Sequence, residues 1–144
     1  MLVRQILAMK GGGTVETIGA STSITDAVRL LSEKRIGALV VSDDGIAPLG
    51  IVSERDIARE LGRRGPAVLN ETVADLMTRE LVGCSSEESA DQVLSKMTDG
   101  RFRHMPVLDG AKMIGLISIG DVVKARLSEL SMEKDALEGM IKGF

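Results

Sequence analysis

The feature that most constrains this chain is an internal repeat that covers almost all of its 144 residues. Residues 23–31 align with residues 89–97 at an offset of 66 positions. One residue is then lost in the second copy, so that residues 50–56 fall on residues 115–121 at an offset of 65. A repeat of this length is too long for a solenoid unit. The chain is therefore expected to form two similar halves.

Each copy shows the same succession of short apolar runs and amphipathic segments. The predicted strands are residues 14–18, 38–41 and 49–52 in the first copy and residues 81–84, 105–108 and 114–117 in the second. A helix is predicted after the first and after the third strand of each copy, where apolar residues follow helical spacing. Half a chain of this size buries too little surface to be stable alone. The sequence therefore predicts an α+β (α/β-type) fold of two β-α-β-β-α repeats related by a pseudo-twofold axis.

The predicted domain boundaries follow the repeat. The domains are residues 1–64 with an N-terminal helix, residues 65–128, and a C-terminal helical tail at residues 129–144. A weaker echo, in which residues 3–7 resemble residues 73–77, precedes each copy, and residues 63–66 have the composition of a linker. Helix starts with capping-box spacing are predicted at Ser23 and Ser89.

The tail is amphipathic, with Leu127, Leu130, Leu137 and Ile141 roughly on one face. This pattern favours a helix that packs on the body of the protein or on a dimer partner over a helix that binds a ligand.

Composition excludes several classes of partner. The net charge of −3 and the presence of only two aromatic residues, Phe102 and Phe144, argue against a nucleic-acid-binding surface. No run approaches the roughly 20 apolar residues that span a bilayer. Cys84 is the single cysteine, which is typical of a reducing compartment. A cytoplasmic protein without a membrane or nucleic-acid partner is expected.

The most repeated polar signature is Ser-x-x-Asp, at Ser53 and Asp56 and again at Ser118 and Asp121. Between a strand and a helix this spacing forms a capping box, which stabilises a helix by about 1 kcal/mol. The same geometry also suits a ligand, since a helix start attracts phosphate and an Asp carboxylate can accept hydrogen bonds from both hydroxyls of a ribose. Both interpretations stay open at this level.

Cationic residues precede the middle strand of each copy. They are Lys34 and Arg35 in the first copy and Arg101, Arg103 and His104 in the second. Arg55 lies within the first Ser-x-x-Asp motif. Cations near helix starts are what a phosphate site needs, although a solvated charged loop has the same composition. The duplicated placement favours a site.

Other chemistry has weaker signals. Residues 11–13 are three glycines without the Gly-Lys-Ser/Thr ending of a phosphate-binding loop, and are interpreted as a hinge. Cys84 and His104 are the only residues that suggest a nucleophile and a base, and a lone cysteine in an apolar run is usually buried. The sequence has no cluster with metal-ligand spacing.

Taken together, these motifs resemble a tandem of CBS domains, and more closely the bacterial stand-alone CBS-pair proteins that have no attached enzyme. The resemblance covers about residues 3–128 and is carried by residues 37–41, 50–56, 103–107 and 115–121. It implies a regulatory module, not an enzyme, with clefts that bind adenosine ligands such as AMP, ADP, ATP or NAD(H). S-adenosylmethionine is a less favoured ligand, because the additional cations suit a phosphorylated one.

The resemblance also implies roles for individual residues. Asp56 and Asp121 would hold ribose hydroxyls, with Ser53 and Ser118 beside them. Arg55, Arg103 and His104 would meet phosphates, and Lys34, Arg35 and Gly120 belong to the same regions. The residues implied to line the adenine pockets are Thr17, Ile18, Gly37, Ala38, Gly83, Cys84, Met105 and Pro106. Gly83 stands where the first copy has Thr17, so that the base contacts of the two copies would differ.

The resemblance implies a disc-shaped homodimer that signals to a downstream protein of unknown identity. The leading hypothesis is a sensor of energy or redox state that binds adenine nucleotides. The alternative hypothesis is a protein-interaction scaffold with vestigial clefts, and a third is a hydrolase that uses Cys84 or His104.

Overall fold

The computed structural model describes residues 1–11 and 15–142. The helices are α1 (Val3–Met9), α2 (Ile24–Lys34), α3 (Glu54–Arg64), α4 (Val73–Leu76), α5 (Ala90–Gly100) and α6 (Ile119–Ile141). The strands are β1 (Thr17–Ile18), β2 (Ala38–Val41), β3 (Gly50–Ser53), β4 (His104–Asp109) and β5 (Lys112–Ser118), and a short 3-10 helix covers Pro66–Asn70. This mixture confirms the predicted α+β class. Across the described part of the chain, no helix combines the length and the apolarity needed to cross a membrane.

The described residues fall into two compact units. The first unit contains residues 15–82 and 110–114, and the second contains residues 1–11, 83–109 and 115–142. In the first unit β1 pairs parallel with β2, which pairs antiparallel with β3. In the second unit β4 pairs with β5.

Each unit has its own apolar core. The first core contains Ile24, Ala27, Leu31, Leu39, Val41, Val52, Ile57, Val73 and Met77. The second contains Val3, Ile6, Cys84, Ala90, Val93, Met97, Met105, Val107, Ile117, Val122 and Ala125. The two cores draw on equivalent positions of the two repeats, so each unit is stabilised by the burial of its own apolar face.

Two short helices are exchanged between the repeats. Helix α4 opens the second repeat in the sequence but lies in the first unit, where the Val73 N–H donates to the Thr22 carbonyl at 2.8 Å. Helix α1 lies in the second unit, where the Val3 N–H donates to the Glu88 carbonyl at 2.8 Å. The echo between residues 3–7 and 73–77 therefore marks two helices with the same place in opposite units, and the units do not follow chain order as the predicted domains do.

A glycine lets each exchanged helix approach a strand closely. A Cβ at Gly50 would lie 2.7 Å from Met77 Sδ and 2.8 Å from the Thr78 carbonyl oxygen, and a Cβ at Gly115 would lie 2.7 Å from Leu7 Cδ2. Both distances are far inside van der Waals contact. Packing therefore requires a glycine at position 50, where the contact includes a backbone oxygen, and a side chain at position 115 would displace the Leu7 side chain.

The predicted strand at residues 81–84 is wrong except at Cys84, which forms a single parallel bridge to Val107. The Cys84 N–H donates to the Pro106 carbonyl at 3.1 Å. To extend the pairing toward the N-terminus, the Val82 carbonyl would need an N–H donor from residue 106, and proline has none. Val40, at the equivalent place in the first repeat, has an N–H, and there the strand β1 forms. Residue 14 of the other predicted first strand lies outside the described residues.

The predicted capping boxes at the first helix of each repeat are present to different degrees. Ser89 forms the complete box with Gln92, whereas Ser23 accepts the N–H of Asp26 but the Asp26 carboxylate bonds to Arg29 instead. Both helices nevertheless begin at the predicted residue.

The predicted tail continues α6 rather than forming a separate helix. Its apolar residues are exposed: Leu127 by 62%, Leu130 by 49%, Leu137 by 59% and Ile141 by 85%. Within its own chain the described part of this face is therefore not packed on the body of the protein. Residues 143–144 of the tail and residues 12–13 of the predicted glycine hinge lie outside the described residues.

Candidate functional site

The helix that follows the hairpin of the first unit begins with a serine and aspartate pair. The Ser53 hydroxyl oxygen accepts a hydrogen bond from the Asp56 N–H at 3.2 Å. In return, Asp56 Oδ2 accepts from the Ser53 N–H at 3.0 Å and from the Ser53 hydroxyl at 2.8 Å. The Asp56 side chain is only 17% exposed. The predicted capping box is therefore confirmed, and it holds a carboxylate in a half-buried position.

The second unit repeats this arrangement at the start of α6. The Ser118 hydroxyl oxygen accepts from the Asp121 N–H at 3.2 Å, and Asp121 Oδ2 accepts from the Ser118 N–H at 2.9 Å. The Asp121 side chain is 24% exposed. The two carboxylates therefore have the same backbone setting.

The cations that face the two carboxylates differ. In the first unit Arg59 Nη2 lies 2.9 Å from Asp56 Oδ1, one helical turn along, and the Arg59 side chain is 61% exposed. In the second unit Lys10 Nζ lies 2.8 Å from Asp121 Oδ2 and donates to the Leu116 carbonyl at 2.7 Å. Lys10 follows α1 and comes from the opposite end of the sequence. No motif in the sequence marks Lys10 as a site residue.

The setting of Asp121 lowers its pKa. Burial by itself raises the pKa of this carboxyl, but hydrogen bonds from Lys10 and from the Ser118 N–H, with the charge of Lys10, bring it below its ordinary value of 3.8. The group is therefore a carboxylate at neutral pH, which can accept hydrogen bonds from hydroxyl groups.

A backbone hydrogen bond joins each helix start to the residue that precedes the middle strand. The Glu54 N–H donates to the Gly37 carbonyl at 2.9 Å, and the Ile119 N–H donates to the Arg103 carbonyl at 2.8 Å. These bonds bring Gly37 and Arg103, which precede the middle strands, beside the Ser-x-x-Asp motif of their own unit. They also use an amide at each helix start, so fewer free N–H groups remain for a phosphate than the motif alone suggested.

The predicted basic residues differ in their exposure and in their place in the units. Arg55 and Arg103 are exposed, and His104 is half-buried at the first position of β4. Lys34 Nζ lies 3.5 Å from Oε1 of Glu16, which directly precedes β1. Arg35 has the left-handed φ of 54° and ends α2, so its conformation is needed for the turn into β2.

The side chains predicted to line the adenine pockets are mostly buried in the two cores. Ala38 is 4% exposed and Met105 is fully buried, and Pro106 is buried as well. Thr17 and Ile18 of β1 and Gly37 are half-buried. In these regions backbone groups and the half-buried residues remain available to a ligand, rather than the buried side chains.

Gly83 is explained by packing. A Cβ at this position would lie 2.7 Å from Leu108 Cδ1. Gly120, by contrast, is exposed, and a Cβ there would meet only the Ser118 hydroxyl oxygen at 3.6 Å, an ordinary contact.

Cys84 is not placed as a nucleophile. It is 4% exposed, and its backbone groups bond to Pro106 and Leu108. Burial, with the nearby charge of Glu88, raises the pKa of its thiol to about 11. The thiol is therefore protonated at neutral pH, and the reactive form is the thiolate.

The predicted site residues divide evenly between the units. Thr17, Ile18, Lys34, Arg35, Gly37, Ala38, Ser53, Arg55 and Asp56 lie in the first unit. Gly83, Cys84, Arg103, His104, Met105, Pro106, Ser118, Gly120 and Asp121 lie in the second. Among residues 1–11 and 15–142, no three His, Cys, Asp or Glu side chains are grouped so as to hold a metal ion.

Comparison with known proteins supports the resemblance on which these assignments rest. The family model of the CBS domain matches residues 5–63 and 73–128. The "CBS domain-containing protein CBSX3, mitochondrial" of Arabidopsis thaliana is 38% identical over 125 residues, which cover 84% of this chain and 61% of that protein. This chain thus spans less than two thirds of that plant relative, and only 23% of a second one, CBSCBSPB2.

Two solved structures share the fold. The CBS-domain containing protein ATU1752 from Agrobacterium tumefaciens is 42% identical with a TM-score of 0.83, over 88% of this chain and 99% of that chain. The CBS domain pair of protein MJ0100, solved in complex with 5′-methylthioadenosine and S-adenosyl-L-methionine, is 25% identical with a TM-score of 0.77, over 90% of this chain and 98% of that chain.

Proposed function

This chain belongs to the CBS-domain family as a pair of CBS repeats, and we propose that it is a non-catalytic regulatory module whose two Ser-x-x-Asp motifs bind adenine nucleotides. The observation that carries the proposal is the duplicated, half-buried carboxylate at the start of α3 and of α6. Each carboxylate is fixed by backbone bonds and lies beside cations. A fixed carboxylate with adjacent cations matches a ribose phosphate, which presents vicinal hydroxyls next to an anion.

In this proposal the residues divide their roles by chemistry. Asp56 and Asp121 accept hydrogen bonds from the ribose hydroxyls. Arg55 and Arg103, which are exposed cations near the helix starts, hold phosphate oxygens, and the half-buried His104 ring assists them. Further residues with proposed contacts to the nucleotide are Thr17, Ile18, Lys34, Arg35, Gly37, Ser53, Gly83, Ser118 and Gly120. The side chains of Ala38, Cys84, Met105 and Pro106 are buried, so these four residues are proposed to shape the pockets from beneath and through their backbone.

The ligand class follows from the same groups. The MJ0100 pair carries adenosine compounds without a phosphate, which supports adenosine as the shared part of the ligand. The cations of this chain favour AMP, ADP, ATP or NAD(H) over S-adenosylmethionine, whose sulfonium is itself positive. A module of this kind would report energy or redox state to a downstream protein.

We also propose that the module is a homodimer that pairs through α6. The exposed residues Leu127, Leu130, Leu137 and Ile141 are spaced by three, seven and four positions, which are the a and d positions of a heptad repeat. The remaining seam position is Lys134. A single charged residue in an apolar seam is a device that selects register in paired helices, and this supports a second copy as the partner.

An antiparallel arrangement that places Leu127 opposite Leu137 also brings Lys124 of one copy beside Glu138 of the other, which adds charge complementarity. Leu137→Glu should therefore convert a dimer to a monomer in light scattering after size exclusion. Met132→Glu, an equally exposed position off the seam, is the matched control. Dimers of the Leu137 variant, or a monomeric wild type, would contradict pairing through this seam.

Nucleotide binding is tested by thermal unfolding with AMP, ATP, NADH and S-adenosylmethionine. A ligand at 100 times its Kd stabilises a folded protein by about 2.7 kcal/mol. For a chain of this size the melting temperature rises by roughly 5–10 °C. The proposal predicts such a shift for at least one phosphorylated ligand, and a smaller shift in Asp56→Ala or Asp121→Ala.

In the second candidate function, a protein-interaction scaffold, the exposed apolar face of α6 binds a different protein instead of a second copy of this chain. It predicts no shift with any of the four ligands. In that case the Ser-x-x-Asp motifs would act only as helix caps.

A further inference from the structure

The two Ser-x-x-Asp motifs differ in their third residue. The first motif has Arg55 directly before Asp56, whereas the second has Gly120 directly before Asp121. The second motif therefore supplies no cation of its own. Because a phosphate needs nearby positive charge, a further cation beside Asp121, in addition to Arg103, bears directly on what the second site can bind.

The structure supplies a different cation at this place. Lys10 Nζ lies 2.8 Å from Asp121 Oδ2, where the first unit has the Ser53 hydroxyl on its carboxylate. The Lys10 side chain is 39% exposed, so it is in contact with both the carboxylate and solvent.

The ammonium group of Lys10 is held in a fixed position by two of its three N–H donors. It has three N–H donors. One points to Asp121 and one to the Leu116 carbonyl at 2.7 Å. The third is available to an acceptor bound next to Asp121, and two existing bonds reduce the entropy that the side chain would lose on binding.

A purely structural role for Lys10 is the competing explanation. In the first unit the Ile51 carbonyl, equivalent to that of Leu116, accepts the Thr78 N–H at 2.8 Å. Lys10 could therefore serve only to satisfy the Leu116 carbonyl and to hold α1. That role predicts an effect on stability, and no discrimination between ligands that differ in charge.

On the basis of the proposed function, we infer that Lys10 is a ligand-binding residue of the second site and makes this site selective for adenosine ligands that carry a phosphate next to the ribose. Lys10 takes the role that Arg55 has in the first motif. Uncharged adenosine compounds gain nothing from Lys10, and a sulfonium ligand is repelled by it.

The test isolates the second site in the Asp56→Ala variant and titrates it with AMP and with 5′-methylthioadenosine, which lacks the phosphate. In this background Lys10→Met should weaken AMP binding by about tenfold or more, since a charged hydrogen bond is removed. Binding of 5′-methylthioadenosine should change by less than about twofold. Arg4→Met is the control, because Arg4 is an exposed cation on α1 whose partner is Glu87.

A rescue variant separates the lost charge from any structural damage. Gly120 has room for a side chain, and Gly120→Arg restores the sequence pattern of the first motif. The double variant Lys10→Met with Gly120→Arg should recover most of the AMP affinity. A double variant that binds AMP no better than Lys10→Met would contradict the inference.

The remaining outcomes also decide the matter. If Lys10→Met weakens the binding of both ligands equally, Lys10 has a structural role. If it strengthens the binding of both equally, Lys10 competes with ligands for Asp121. Either result overturns the inference while the proposed function stands. If neither ligand binds even to the wild-type chain, the proposed function fails and the inference fails with it.

Discussion

The first and second units place a carboxylate in the same backbone setting but secure it in different ways. Asp56 is held by its own helix and by Arg59, three residues along. Asp121 is held by Lys10, 111 positions away in the sequence. The two copies of the motif therefore share their cap geometry, because that geometry is local, while their electrostatic partners differ.

The same contrast holds for the helices that pack beside the motifs. Gly50 faces Met77 and the backbone of Thr78, whereas Gly115 faces the side chain of Leu7. The nearest contacts at this position thus include a backbone oxygen in the first unit and are side-chain atoms in the second. We therefore expect a Gly→Ala substitution to lower the free energy of unfolding by different amounts in the two units.

The largest expected effect compares the two glycines. Gly50→Ala should lower the free energy of unfolding by about 2–3 kcal/mol, because its Cβ meets a backbone oxygen that cannot move away. Gly115→Ala should cost only about 1 kcal/mol, since Leu7 can change its rotamer. Urea denaturation of both variants measures the difference. Equal costs would contradict the unequal support of the two units.

The serine caps should differ in the same direction. Ser53→Ala removes two hydrogen bonds of the hydroxyl, one that it accepts from the Asp56 N–H and one that it donates to the Asp56 carboxylate, and should cost about 1–2 kcal/mol. Ser118→Ala removes the bond from the Asp121 N–H and should cost about 1 kcal/mol, because Lys10 still serves that carboxylate. Thermal unfolding of the two variants tests the order, and a larger cost at Ser118 would reverse it.

The pH dependence sharpens the comparison at Asp121. Its pKa in the folded protein lies below the ordinary value of 3.8, so its contribution to stability is complete above that pH and is lost as the pH falls through the folded pKa. Asp121→Asn should therefore cost about 1 kcal/mol near pH 6 and much less below about pH 3. In the Lys10→Met background the cost near neutral pH should shrink. A cost that does not vary with pH would show that the ion pair contributes nothing.

The smallest effect is expected at Arg59. Its side chain is 61% exposed and pairs with Asp56 along the helix surface, so Arg59→Ala should change the free energy of unfolding by about 0.5 kcal/mol or less. Lys10→Met should cost more, since its charge is less exposed and it also satisfies a backbone carbonyl. An Arg59 variant as destabilised as the Lys10 variant would remove this distinction.

Local patterns were enough to predict most of the fold. The hairpins, the helix starts at serine and the two capping boxes depend on residues within a few positions of one another. The failure at residues 81–84 has a local cause too, because Pro106 stands where the strand needs a donor. It could have been foreseen by aligning Pro106 with Val40.

The features that could not be predicted depend on long-range contacts. The placement of α1 in the second unit and the pairing of Lys10 with Asp121 both join the start of the chain to its last helix. No spacing rule links residues so far apart. The echo between residues 3–7 and 73–77 was the one available signal, and it indicates equivalent helices without saying which unit each joins.

The most direct test of the proposed function is calorimetric titration of AMP into the wild type, Asp56→Ala and Asp121→Ala, with folding of each verified by circular dichroism. The account predicts binding to the wild type and loss of a different binding event in each variant, since each carboxylate serves its own site. Variants that both bind AMP with the stoichiometry and affinity of the wild type would contradict it, because neither carboxylate would then contact the nucleotide.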